Sequence, residues 1–146
     1  MVIAYCGRKI DPYEFVKLLI SEGGWWSDSD PRKGYGGLDV DGAAAIWLDG
    51  YWDVDDPDEK EITDEEERQL CMKHTDCPLR SVVAIQVGHS DGSMELAMDF
   101  ASKISERWPC VCIDDAYEWP KILKIPGCYY YGKKVCLLYT SPSPRD

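Results

Sequence analysis

The chain has 146 residues, and 45% of them are hydrophobic, which is enough for the core of a single domain. It carries 27 acidic and 16 basic residues, a formal charge of -11 at pH 7. Proteins that bind the phosphate backbone of nucleic acids need basic surfaces, so this balance argues against a nonspecific nucleic-acid binder. It favours a basic protein partner, although net acidity also serves ordinary solubility.

The cysteines and the hydrophobic runs indicate the cellular compartment. No run approaches the roughly 18 apolar residues that a membrane span requires, and the N-terminal segment lacks a basic region followed by a long apolar stretch. An aliphatic core without a secretion signal favours reduced, buried thiols over a disulfide framework. We therefore expect a cytoplasmic protein without membrane association. The seven cysteines are Cys6, Cys71, Cys77, Cys110, Cys112, Cys128 and Cys136.

The first part of the chain shows strand, helix and hairpin patterns in turn. Residues 2–6 are a short apolar run typical of a strand. Asp11 is a good N-cap and Pro12 a good first residue for a helix that ends before Gly23. The aromatic residues of loop 25–37 are expected to lie on the core. Asp41-Gly42 then predicts a tight hairpin turn.

A second helix is predicted from the acidic segment onward. Thr63 is expected to be its N-cap, with Glu66 completing a capping box, and the helix is expected to run to about His74. Several acidic residues in its first turn suit the positive end of the helix dipole.

The next segment predicts a β-α-β unit. Residues 81–87 are apolar and β-branched, the residues from Met94 to Trp108 repeat at helical spacing after a cap at Asp91 or Ser93, and residues 110–113 form another buried strand. Such a unit has parallel strands and a right-handed crossover. The predicted fold class is α/β (α+β): a single mixed sheet with about three helices and one right-handed β-α-β unit at about 82–113. We expect one domain over residues 1–135.

The last eleven residues, 136–146, read CLLYTSPSPRD and differ sharply in composition from the rest. They resemble, residue for residue, one translated frame of a transposase-based sequencing adapter. We interpret them as a non-native tail and expect the natural C-terminus beyond about Val135 to be missing.

Four polar residues form a candidate site at the ends of the two predicted parallel strands, where ligands of open sheets tend to bind. His89 and Asp91 follow the first strand, and Asp114 and Asp115 follow the second, so we expect them to lie close together. A histidine with several carboxylates can bind a divalent cation or act as acid and base. The same residue types are also ordinary in a helix N-cap loop and a strand exit. A small metal-dependent enzyme or binding protein is therefore an alternative hypothesis.

Cys71, His74 and Cys77 have the spacing C-x₂-H-x₂-C, and thiolate with imidazole is zinc chemistry. Positions three residues apart on a short helix are equally where small buried side chains lie, and cysteine behaves as one. The sequence also lacks a phosphate-binding glycine loop and a recognisable nucleophile turn. We therefore predict no catalytic residue, no metal and no cofactor, and we expect that the chain is not an enzyme.

Acidic residues crowd the segment from Asp49 to Glu67, where Lys60 is the one basic residue. Aromatic anchors ringed by charge are typical of interface hot spots, so this segment is the candidate surface for a partner. Alternatively, Trp52 lies in the core and the acids are merely hydrated. The predicted partner-binding residues are Tyr51, Trp52, Asp53, Asp55, Asp56, Asp58 and Glu59.

Residues of about 30 to 115 resemble small bacterial domains of the kind found as immunity proteins beside polymorphic toxins. The resemblance rests on AAAIWLDG, the acidic T-D-E-E helix start and the block SVVAIQVGHSDGSMELAMDFASKISERWPCVCIDD. It implies an acidic single domain that neutralises a cognate toxin by binding it, and a toxin that attacks nucleic acid is usually basic. It implies no catalytic residue. A structural or accessory domain is the remaining alternative.

Overall fold

In the computed structural model, three helices pack against a seven-stranded antiparallel sheet, which confirms the predicted α+β fold class. The structure describes residues 1–40, 44–56, 64–116 and 121–125, and the backbone of 129–130 and 133–134. The adapter-like tail 136–146 therefore lies outside the described residues, and the domain bounds stay a prediction. The helices are α1 (Pro12–Ser21), α2 (Glu65–Thr75) and α3 (Ser93–Arg107). The strands are β1 (Val2–Cys6), β2 (Trp25–Trp26), β3 (Gly36–Val40), β4 (Ala44–Tyr51), β5 (Ser81–Val87), β6 (Cys110–Asp114) and β7 (Lys121–Ile122), with a separate pair, β8 (Tyr129–Tyr130) and β9 (Lys133–Lys134).

The order of strands in the sheet is β2-β3-β4-β5-β1-β6-β7, and all neighbours are antiparallel. The first strand of the chain lies between β5 and β6, with Val2 opposite both Ile85 and Asp114. Strands β5 and β6 therefore run in the same direction but are not hydrogen-bonded to each other. The right-handed crossover between them stays a prediction.

Alternation along the strands divides the sheet into two faces. Even-numbered residues of β1 and β4, such as Ala4 and Ile46, point to the face covered by α1 and α3. Odd-numbered residues such as Tyr5 point to the other face, where α2 packs over β1 and β6. We call these the two-helix face and the α2 face.

Two helix starts show how local sequence sets the ends of elements. Asp11 caps α1 as predicted, since its carboxylate accepts a hydrogen bond from the Tyr13 amide at 3.0 Å. The prediction of Thr63 as cap of α2 is wrong by one residue. Asp64 accepts from the Glu67 amide at 2.9 Å and the Glu67 carboxylate accepts from the Asp64 amide at 3.0 Å, which completes the capping box. Both Thr63 and Asp64 are good capping types, so composition alone does not decide between them.

Aromatic rings fill the centre of the two-helix face. Phe15 on α1 contacts Trp52, Phe100 and Trp108, with ring centroids 5.2, 6.0 and 6.5 Å away respectively. Trp52 follows β4 directly, and its ring folds back beneath Gly50, where any side chain would overlap it. The glycine is therefore what allows this tryptophan to enter the core.

Candidate functional site

The acidic segment begins on an anchored turn, which we call the acidic turn and define as Asp53, Asp55 and Asp56. The Val54 amide donates to the Arg80 carbonyl at 2.9 Å, and the Val54 side chain is fully buried. The Asp53 carboxylate accepts from the Asp55 amide at 3.1 Å. The backbone of the turn and the Asp53 carboxylate are therefore held in place. Asp58 and Glu59 lie outside the described residues.

Basic residues from distant parts of the chain offset some of this charge. Lys9 lies 3.3 Å from Asp53, while Arg68 and Arg80 lie 3.5 and 3.7 Å from Asp55. The Asp55 amide and Lys9 together hold the pKa of Asp53 below its ordinary value. Counting charges along the sequence overestimated the potential of the segment, because ion pairs across the fold are not visible in it.

The two aromatic residues of the segment have structural roles. Trp52 is 6% exposed and lies in the core of the two-helix face. Tyr51 is half-buried and packs against the buried residues of the α2 face. The Trp52 carbonyl accepts from the Ser81 hydroxyl at 2.6 Å, which fixes the exit of β4. Trp52 therefore lies in the core, as the alternative interpretation of this segment expected.

The first turn of α2 adds further carboxylates beside the acidic turn. Glu65 and Glu66 are exposed, and Arg68 bridges from the same helix to Asp55. Glu67 is half-buried and accepts a hydrogen bond of 2.5 Å from the Tyr5 hydroxyl. Burial, followed by this carboxylate, raises the pKa of Tyr5 far above its ordinary value, so the pair is a neutral phenol bound to a carboxylate. Glu65 and Glu66 therefore carry the outward charge of this turn.

The candidate polar site is divided by β1. His89 and Asp91 are exposed after β5, while Asp114 is the last residue of β6 and Asp115 follows it, at the same end of the sheet. The expectation that the strand ends are neighbours does not hold, because β1 separates them by two strand spacings, about 10 Å. Asp115 lies 3.4 Å from the N-terminal amine. In the described part of the chain, no three His, Cys, Asp or Glu side chains are grouped as a metal ion requires.

The start of α3 also differs from its prediction. Gly92, with a φ of 88°, is the N-cap, and no side chain caps the helix. The Ser93 hydroxyl instead accepts from the Ala45 amide at 3.1 Å, and the Gly88 amide donates to the Ala45 carbonyl at 2.9 Å. These hydrogen bonds connect the start of α3 to β4. Their partners are distant in sequence, so local sequence patterns do not predict them.

Cys71 and Cys77 are core residues. Cys71 is fully buried and Cys77 is 3% exposed, while His74 is half-buried. Burial raises the pKa of the Cys71 thiol to about 12, and the thiol lies 3.7 Å from the Tyr5 carbonyl. The structure therefore supports packing as the role of this motif.

One open cavity of about 580 Å³ lies beside β6 and β7. Asp114 and Lys121, which face each other in the register of these strands, lie at its wall, together with Met94 and Met98 of α3. Neither histidine lines it. Among the described residues, its lining side chains provide an apolar surface with one carboxylate and two lysines, and none of them is a nucleophile paired with a base.

An exposed part of the α2 face was missed by the sequence analysis. Trp25, Trp47 and Tyr35 are 42%, 45% and 51% exposed, although loop 25–37 was expected to place its aromatics on the core. That prediction holds in part for Trp26, which is half-buried, but is wrong for Trp25 and Tyr35. The missed signal is alternation: because Ile46 and Leu48 point inward, Trp47 between them must point outward.

We name this surface the indole face and define it as Trp25, Tyr35, Asp39, Trp47 and Asp49. Register places Trp25 opposite Gly37 and Gly37 opposite Trp47, so the three form one row across β2, β3 and β4. The Trp25 ring lies over Gly37, where an added Cβ would be 2.5 Å from Trp25 Cζ2. Tyr35 meets the Trp25 ring edge-on, with centroids 5.7 Å apart and planes at 78°.

No helix in the described part of the chain is long and apolar enough to span a membrane. Comparisons of the chain with protein-family models, with curated proteins and with solved structures gave no match.

Proposed function

We propose that this chain is an acidic protein-binding domain that neutralises a basic bacterial toxin by binding to it. The observation that carries the proposal is the exposure of Asp55, Asp56, Glu65 and Glu66 on one anchored surface. Because hydrogen bonds already hold the acidic turn in place, binding loses little conformational entropy there. A fixed array of carboxylates accelerates association with a basic protein and orients the encounter.

Two further features support this function over a catalytic one. The net charge is -11, which disfavours phosphate-bearing partners and favours cationic ones. The candidate polar residues are divided by β1, and the cavity beside β6 contains neither histidine. The resemblance of residues 30–115 to immunity domains points to the same class of partner.

We also propose that the protein works in the cytoplasm. Cys6, Cys71 and Cys77 are buried, free thiols. Reduced buried thiols are typical of proteins in reducing compartments.

The test is to neutralise exposed acids and measure association with the product of the adjacent gene, the proposed partner. The triple variant Asp56→Asn/Glu65→Gln/Glu66→Gln changes the charge by three without breaking the ion pairs of Asp53 and Asp55. We expect the association rate constant to fall by about tenfold at low salt and by less at physiological salt, because screening weakens the attraction.

A control variant makes the same change of charge on the opposite side of the sheet. Glu95→Gln/Asp99→Asn/Glu106→Gln alters exposed residues of α3. Equal slowing in both variants would show that only net charge matters. If the wild-type chain does not bind the neighbouring product at any salt concentration, the proposed function is wrong.

A further inference from the structure

The indole face lies on a part of the sheet that no helix of the described residues covers. Helix α2 covers β1 and β6, while the exposed side chains of Trp25 and Trp47 mark the region over β2 to β4 that it leaves open. Sheet faces of this size ordinarily pack against another layer, so exposed tryptophans on one indicate a contact surface.

Two carboxylates flank the row of indoles on the same face. Asp39 lies two residues beyond Gly37 on β3, and Asp49 lies two residues beyond Trp47 on β4, each about 7 Å along its strand. Both are exposed, and neither forms an ion pair with a described residue. This contrasts with Asp53 and Asp55, which do.

On the basis of the proposed function, we infer that the indole face binds arginine side chains of the basic partner. A guanidinium is planar, stacks on an indole and donates two parallel hydrogen bonds to a carboxylate. Trp47 with Asp49, and Trp25 with Asp39 across Gly37, offer a ring and a carboxylate within the reach of one such group. Lysine lacks the plane and the fork, so it fits the same positions less well.

Charge selects this occupant over other macromolecules. A second copy of the chain would bring four carboxylates together, and nucleic acid would bring phosphates against Asp39 and Asp49. A basic protein is attracted by the net charge of -11, and tryptophan, tyrosine and arginine are the residue types that dominate interface energetics. The acidic turn would then steer the partner, and the indole face would hold it.

The test uses a nona-arginine peptide and a nona-lysine peptide as probes of the intact chain. Titration is followed by the backbone amide and indole N–H signals in NMR spectra. The indole signals locate the contact because Trp25 and Trp47 are exposed whereas Trp52 and Trp108 are buried. We expect nona-arginine to shift the signals of Trp25 and Trp47 and to bind several-fold more tightly than nona-lysine, which has the same charge.

Variants locate the contact independently. We expect Trp25→Thr/Trp47→Thr to weaken nona-arginine binding by about tenfold or more, since each is a candidate hot spot. Tyr13→Gln is the matched control, because Tyr13 is 60% exposed on α1, which packs on the opposite side of the sheet. If the double tryptophan variant fails to fold, Asp39→Asn/Asp49→Asn compared with Glu95→Gln/Asp99→Asn, which removes the same two charges from α3, answers the same question with minimal change of shape.

The outcomes separate this inference from the proposed function. Equal binding of the two peptides, signal changes confined to the acidic turn and α2, or no binding of nona-arginine would each overturn the indole face as an arginine site. None of these results decides whether the chain binds the product of the neighbouring gene, which is measured separately with the acidic-turn variant.

Discussion

Replacing Gly50 with alanine tests how Trp52 is held in the core. An added methyl at Gly50 would overlap the six-membered ring of Trp52. That ring is 6% exposed and packs against Phe15 at 5.2 Å and Trp26 at 6.2 Å, so it has no free direction in which to move. Overpacking of this kind costs about 1–3 kcal/mol, whereas glycine to alanine in an unobstructed strand gains roughly 0.5–1 kcal/mol. The sign of the change in unfolding free energy therefore tells whether the Trp52 ring blocks the space at Gly50 or whether the position is unobstructed.

The assay is urea-induced unfolding of four proteins that form a double-mutant cycle: wild type, Gly50→Ala, Trp52→Leu and the double variant. We expect the alanine penalty to shrink by about 1 kcal/mol or more when Trp52 is leucine, since the overlapping ring is gone. Gly37→Ala is the control, because the indole above Gly37 belongs to Trp25, which is 42% exposed and free to swing outward. A neutral or stabilising Gly50→Ala, or a penalty unchanged by Trp52→Leu, would refute this packing.

Three other predictions concern the capping box, the thiols and the decrease of the unfolding free energy at acidic pH. Asp64→Ala removes the side chain that accepts from the Glu67 amide, so we expect a loss of about 1 kcal/mol in unfolding free energy by urea titration, and no loss would contradict the cap. Burial raises the pKa of the Cys71 thiol to about 12, so this thiol should resist alkylation at pH 8 until the protein unfolds, and rapid alkylation would contradict its burial. Zinc should not raise the melting temperature, and a clear thermal shift on adding zinc would restore the metal hypothesis. The pKa of Asp53 is lower in the folded state than its ordinary value, so its stabilising contribution is present above that ordinary value and is lost as pH falls through the folded pKa. The unfolding free energy of Asp53→Asn should therefore fall less steeply than that of the wild type as the pH is lowered. An unchanged pH dependence would show that the interaction of Asp53 with Lys9 and the Asp55 amide is negligible.

Local patterns predicted the elements well because their determinants are local. The Asp11 cap, the helical stripe from Met94 to Trp108 and the apolar run 81–87 each depend on neighbouring residues, and all three elements are present. The pairing of β3 with β4 was also predicted and is confirmed by the register of Val40 with Ala44, while the Asp41-Gly42 turn lies outside the described residues.

Tertiary pairing could not be predicted in this way. Nothing near Val2 indicates that β1 pairs with both β5 and β6, yet this insertion separates His89 from Asp114. The ion pairs of Asp53 and Asp55 with distant basic residues are equally invisible in local sequence. The indole face is different in part: alternation places Trp47 on the opposite face of the sheet from Ile46 and Leu48, whereas the expectation of a buried aromatic loop concealed Trp25 and Tyr35.

Inhibition of the toxin tests the proposed function most directly. The purified chain is titrated into a nuclease assay of the product of the adjacent gene, the proposed toxin, at low salt and at physiological salt. We predict that nuclease activity disappears near one equivalent of the chain and that inhibition weakens as salt rises. Full nuclease activity in the presence of a large excess of folded chain at low salt would contradict the proposal that this acidic domain neutralises a toxin by binding it.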